Sequence, residues 1–323
     1  VSPRWIGAQD IARCLTWPAL IEHLRQAHRA EPALAQRLSM SHTPAPGSAE
    51  QALLLLPAWR PGQALGVKLV SSFPDNRHAP AVQAVYVLFD GRDGAPRLLL
   101  DGTELTYWKT AADSALAADH LARRDAATLL MVGAGALAPY LVQAHRAVRP
   151  SLQRIRLWNR TPARCAALAA QLGAAGLGGL DIATVDDLQQ AVAQADVICC
   201  ATGARQPLVR GAWLHDGAHL DLVGGFTPDM READDDAVRR ARAFVDCRAS
   251  TIAVVGDLTQ PIAAGVLRPE DIEGDLFDLC RGRAGGRGSS HEITWFKSGG
   301  GAHLDLMTAQ FVAERQDEQC APP

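Results

Sequence analysis

From Leu129 onward, short apolar runs alternate with longer stretches in which apolar and polar positions mix. The pattern predicts strands over 129–133, 154–158, 181–184, 196–201, 218–223 and 243–246, with helices over 136–148, 161–172, 185–194 and 234–240. Such alternation calls for a parallel sheet covered by helices on both faces. The Gly/Ala-rich stretch Leu172–Leu180 reads as a connection. The first 118 residues follow another rhythm. A helix over about 17–30 precedes a polar segment, and strands near 52–57, 64–70, 81–89 and 96–101 then alternate as an antiparallel sheet does. A helix over about 110–123 leads into the alternating region, which spans about 119–295. A last helix, about 303–316, is free to return to the first domain, and the tail Asp317–Pro323 reads as frayed.

The first turn of the alternating region carries chemistry. Leu129–Val132 meets Gly133-Ala134-Gly135, and Ala136, Leu137 and Ala138 then open a helix, which is GxGxxA in a strand–turn–helix setting. Gly133 admits the tight turn, Gly135 lets a pyrophosphate approach the backbone, and Ala138 lets helix and strand pack closely. Phosphates are favoured there because the first N–H groups of a helix lack intrahelical partners. Thr202 and Gly224, at the ends of two later strands, join the expected cofactor contacts. A plain glycine turn is the alternative. The next strand, RIRLW at 154–158, ends in Asn159-Arg160-Thr161, with Arg164 one turn further on. NAD-specific folds usually place a carboxylate at this corner to bind the ribose hydroxyls. An amide, a guanidinium and a hydroxyl suit a 2′-phosphate better, which favours NADP(H) over NAD(H). A solvated turn with Thr161 capping the helix is the bland reading.

The chain has 323 residues, 48% hydrophobic and 21% charged, with a net charge of −3. That length allows two domains with their own cores. The charge balance offers no footprint for nucleic acid or an anionic membrane. No apolar run reaches membrane-span length and the opening residues lack a signal-peptide pattern, so a cytoplasmic location is expected. The cysteines at 14, 165, 199, 200, 247, 280 and 320 show no CxxC spacing, and the histidines show no metal spacing. Reduced thiols and no metal are expected.

Several segments then point one way: Gly66-Val-Lys-Leu-Val70 with Phe73-Pro-Asp-Asn76, Leu105-Thr-Tyr-Trp-Lys-Thr-Ala-Ala112, Gly256-Asp257 and Thr294-Trp-Phe-Lys-Ser298. With GAGALA, they resemble the ornithine cyclodeaminase/mu-crystallin family over nearly the whole chain. The resemblance implies an α/β protein, with a Rossmann-type NAD(P)-binding domain (119–295) inserted into an α+β substrate-binding and dimerisation domain (1–118, completed by 296–323). It also implies a homodimer. Lys68 matches the lysine that the family places beside the substrate carboxylate and the reacting carbon; unaided, a lysine in an apolar strand could equally snorkel outward. Lys109 stands where most members have arginine, keeping the charge but losing the bidentate fork. Thr110 matches a phosphate contact or else caps the helix. Arg37 corresponds to a further carboxylate-binding arginine or is an ordinary surface residue. Gly299 and Gly300 match positions near the nicotinamide.

One departure bears on the reaction. Cyclodeaminases carry an aspartate where this chain has Phe226, and an acidic residue where it reads Leu53-Leu54-Leu55-Leu56. Phenylalanine cannot take a proton, and an apolar site suits a ring better than a diamine. The FTPxMRE pattern of 226–232 resembles the ketimine reductase branch. The expected reaction is NADPH-dependent reduction of Δ1-pyrroline-2-carboxylate or its piperideine analogue, with Lys68, Lys109, Arg37 and Phe226 at the substrate. Ornithine cyclisation, alanine dehydrogenation and non-catalytic NADP binding are the rivals. Asp257 shapes the cleft or ends a loop, and Asp305 serves the last helix's dipole or the chemistry. His42, His78 and His303 border the pocket or lie in surface loops.

Overall fold

The computed structural model describes residues 2–320. Its contacts divide the chain into two compact units, Val1–Lys109 with Gly301–Pro323, and Thr110–Gly300. The expected boundaries at 118/119 and 295/296 therefore move. One crossing falls inside a single long helix, and the other follows the last strand of the second unit.

The first unit begins with β1 (Arg4–Ile6), α1 (Ala8–Cys14) and α2 (Trp17–Arg29), then β2 (Leu34–Ala35), β3 (Leu38–His42), β4 (Gln51–Arg60), β5 (Ala64–Ser72), β6 (Val82–Asp90) and β7 (Pro96–Asp101). Its sheet runs β1-β7-β6-β5-β4-β2, with β3 also on β4. The stretch read as a polar segment thus holds two strands. They are exposed throughout, so they carry no burial pattern; pairing with β4 makes them strands. In β4 to β7 the expected period of two appears. Ala58, Val70, Tyr86, Leu88, Leu98 and Leu100 are buried on one face. Leu65, Val67, Leu69, Val85, Val87 and Leu99 are only half-buried on the other. Helix α3 (Gly102–Leu121) starts eight residues before the expected 110, because Asp101 accepts hydrogen bonds from the N–H groups of Thr103 and Glu104.

The second unit continues with β8 (Thr128–Val132), α4 (Ala138–Val148), β9 (Arg154–Trp158), α5 (Pro162–Leu172), β10 (Asp181–Thr184), α6 (Leu188–Gln194), β11 (Val197–Cys200), β12 (His219–Leu222), α7 (Asp235–Arg240) and β13 (Ala241–Val245). The elements that follow are all absent from the expected list: α8 (Arg248–Thr251), α9 (Gly256–Ala263), β14 (Ile272–Asp275), α10 (Leu276–Arg281) and the last strand. β15 (Ile293–Lys297) closes the unit. All eight strands pair in parallel, in the order β10-β9-β8-β11-β12-β15-β13-β14. β8, β11, β12 and β15 are buried along their whole length, as strands covered on both faces must be. The strand order reverses between β8 and β11, the crevice in which doubly wound sheets bind ligands.

Helix α11 (Ala302–Cys320) belongs to the first unit, where it packs on β4, β5, β6 and α2. It carries Asp317 to Cys320, expected to be frayed, while residues 321–323 lie outside the described ones. Among the described residues, no helix is long and apolar enough to cross a membrane.

Candidate functional site

In the first unit, three charged side chains from distant parts of the chain meet in the core. Lys68 comes from β5, Lys109 from α3 and Asp305 from the first turn of α11; all three are buried. Lys68 Nζ lies 2.9 Å from Asp305, and Lys109 Nζ lies 2.9 Å from Asp305 Oδ1. Lys68 also donates to Thr106 Oγ1 at 3.3 Å, and Lys109 to the carbonyl of Gly301 at 3.4 Å. Lys68 therefore does not snorkel. Burial, helped by the neighbouring Lys109 and opposed by Asp305, brings its ammonium pKa down to about 7. His303 is buried too, and burial with Lys109 nearby depresses it to about 3, so the imidazole is neutral. Tyr86 stands directly across the sheet from Lys68, and its buried hydroxyl has no hydrogen-bond partner among the described residues.

Asp305 thus holds two buried ammonium groups side by side. It is the bridge between the lysines, beyond any part it has in the helix dipole. Arg37 lies between β2 and β3 and is exposed, as are His42 and His78.

In the second unit, the loops after β8, β11 and β12 lie at the C-terminal ends of adjacent strands. Gly133 has φ +108°, and a Cβ there would stand 2.5 Å from the Ala201 carbonyl. Its N–H donates to the Trp158 carbonyl at 2.8 Å. A Cβ at Gly135 would meet nothing within 4 Å. Helix α4 begins at Ala138 rather than 136, so Ala136 and Leu137 form the turn that enters it. A cleft of about 260 Å³ beside this loop is lined by Ala134, Gly135, Ala136, Arg164, Ala167, Leu168 and Gln171. Asn159 ties the corner after β9 to the loop: its Oδ1 accepts from the Ala134 N–H at 3.4 Å and its Nδ2 donates to the Thr161 carbonyl at 3.0 Å. Arg160, Thr161 and Arg164 are exposed. Thr161 holds the N-cap position of α5, but its side chain makes no capping hydrogen bond. Open space at Gly135, a helix start and the exposed Arg164 fit a dinucleotide.

Thr110 is buried in the middle of α3, which excludes the capping role. Phe226, on the loop after β12, is 53% exposed. The N–H groups of Gly299 and Gly300 both donate to Asp246 Oδ2 at 2.9 Å. Asp246, Lys297 and Glu232 were missed. Lys297 ends the apolar run ITWFK, where a buried ammonium needs a carboxylate, and it has one: Asp257 Oδ2 lies 3.0 Å away. His145, Cys199 and Asp221 come together although no spacing predicts it. Asp221 Oδ2 lies 3.1 Å from the Cys199 sulfur and 3.3 Å from His145 Nε2.

A model of the ornithine cyclodeaminase/mu-crystallin family matches residues 9–319. The chain is 42% identical over 316 residues to the Δ1-pyrroline-2-carboxylate reductase of Paracoccus denitrificans, which spans 97% of this chain and 96% of that protein. The structure of the Thermococcus litoralis Δ1-pyrroline-2-carboxylate reductase with NADH and L-proline superposes with a TM-score of 0.90 at 29% identity, covering 98% of each chain. The iminosuccinate reductase of P. denitrificans with NAD+ superposes with a TM-score of 0.86 at 27% identity, covering 98% of this chain and 97% of that one.

Proposed function

The chain belongs to the ornithine cyclodeaminase/mu-crystallin family, and from that membership we propose that it is an NAD(P)-dependent reductase of cyclic ketimine carboxylates. Δ1-Pyrroline-2-carboxylate would give L-proline, and Δ1-piperideine-2-carboxylate would give L-pipecolate. The observation that carries the substrate side is the pair of buried ammonium groups on Asp305. A substrate carboxylate would accept hydrogen bonds from Lys68 and Lys109. Lys68 also faces the charge that shifts as the C=N bond is reduced. When bound, a reduced nicotinamide would supply hydride, and the protonated ring nitrogen would make C2 electrophilic enough to take it. Arg37 and Phe226 are the further substrate contacts in this proposal. The identities of the relatives support an imine rather than a diamine substrate.

On the cofactor side we propose a preference for NADPH, supported by Arg164 in the cleft beside the glycine loop, by Arg160 exposed at the corner after β9, and by the sequence Asn159-Arg160-Thr161 in place of a carboxylate there. The half-exposed apolar face of the first unit's sheet, with Leu38, Met40 and Leu53 exposed alongside, supports a homodimer through that face. A cytoplasmic location completes the proposal.

The test is NADPH and NADH consumption with each imine, beside ammonia release from L-ornithine. Turnover of an imine that Lys68→Ala abolishes is the expected result. Ammonia from ornithine without net cofactor use would overturn it.

A further inference from the structure

The loops after β11 and β12 share one acceptor. Glu232 Oε1 takes hydrogen bonds from the Thr202 N–H and from its hydroxyl, each at 2.7 Å. Its Oε2 takes the Gly224 N–H at 2.7 Å and the Gly225 N–H at 3.4 Å. The rest of the residue is pinned as well. Its N–H donates to Asp257 Oδ1 at 2.8 Å, and its carbonyl accepts from Leu208 and Val209. The glycines are required by closeness: a Cβ at Gly224 would stand 2.5 Å from Glu232 Oε1, and one at Gly225 would stand 2.7 Å from Asp257 Oδ2.

We propose that Glu232 is a positioning residue for the dinucleotide, its one carboxylate setting the two loops beside the strand-order reversal in the shape the cofactor meets. The proposal rests on reading the second unit as dinucleotide-binding. Charge supports it. Among the described residues that act most on Glu232, Asp257 is a second carboxylate and Lys297 the one cation, already paired with Asp257, so ionising Glu232 adds a buried negative charge. Burial pushes its carboxyl up to about 7, with Asp257 pushing the same way and Lys297 opposing. A glutamine would remove that charge at nearly the same volume, but its amide offers one acceptor oxygen, and its NH₂ would confront N–H donors. Only a carboxylate satisfies all four donors, so the unfavourable charge is explained by the loops it orders.

The test is fluorescence titration of the full chain with NADH and NADPH, for wild type, Glu232→Gln and Glu232→Asp, with thermal unfolding of each. The aspartate keeps the charge but is one methylene short of spanning both loops. Both variants should weaken dinucleotide binding at least about tenfold, with the KM for the imine nearly unchanged and the glutamine variant no less thermostable than wild type. Binding within about twofold of wild type in a folded Glu232→Gln protein overturns the proposal. So does failure of both variants to fold, which would make Glu232 a fold determinant. Absence of dinucleotide binding by the wild type overturns it together with the reading it rests on.

Discussion

Lys68 and Glu232 are both buried beside charged neighbours, and burial shifts the pKa of each. Both therefore report on pH. The folded-state pKa of Lys68 lies below its unfolded value, so its burial weakens the fold below about pH 7 and ceases to do so as pH rises towards the ordinary lysine range. Carboxylate binding needs the ammonium, so kcat/KM should fall above about pH 7. Asp305 holds the Lys68 pKa up. In Asp305→Asn the fall should begin at lower pH, read as the ratio of variant to wild type so that titration of the substrate cancels. For Glu232 the folded pKa is raised, so the folded state holds its proton more tightly. Its contribution to stability is fully present below the ordinary glutamate range and is lost as pH rises through about 7. The melting temperature of Glu232→Gln relative to wild type should accordingly be higher at pH 8.5 than at pH 5.5. An unchanged difference would mean that Glu232 does not titrate there.

At the scale of elements, the turn from β8 into α4 separates two kinds of glycine. Gly133 needs its positive φ and its closeness to Ala201, so Gly133→Ala should cost about 1–3 kcal/mol and abolish dinucleotide binding. Gly135 faces open space. Gly135→Ala should leave the melting temperature nearly unchanged while weakening NADPH and NADH alike, because the added methyl fills the approach of the pyrophosphate. The corner after β9 makes a different prediction. Arg160→Ala with Arg164→Ala should raise the KM for NADPH about tenfold or more and spare NADH, since only the former carries the phosphate those side chains would bind. Equal effects on both cofactors would remove the case for NADP specificity.

At the scale of the whole molecule, the first unit's sheet presents an apolar outer face that α11 does not cover. Val67 and Val87 lie opposite one another near its middle. Val67→Glu with Val87→Glu should convert a dimer into monomers in sedimentation experiments, because two carboxylates would lose water on association without gaining partners. A protein monomeric before substitution would remove that interface from the proposal.

Local pattern carried much of this molecule. Period-two alternation located β4 to β7, short apolar runs located six of the eight parallel strands but not β14 or β15, and glycine chemistry located the turn between β8 and α4. These signals lie within a few residues of the feature they specify, so the amino-acid sequence determines them on its own. The resemblance marked Lys68 and Lys109, and Phe226 argued against deamination by its lack of a proton acceptor. What only tertiary structure decided is long-range. β2 and β3 are strands because β4 lies beside them, not because of any burial pattern. Asp305 could be read as a dipole partner until folding carried it to Lys68. Glu232, Asp257 and Lys297 belong to separate elements, and no spacing links them. The energy of a buried charge depends on what surrounds it in space, and neighbours in space are set by the fold.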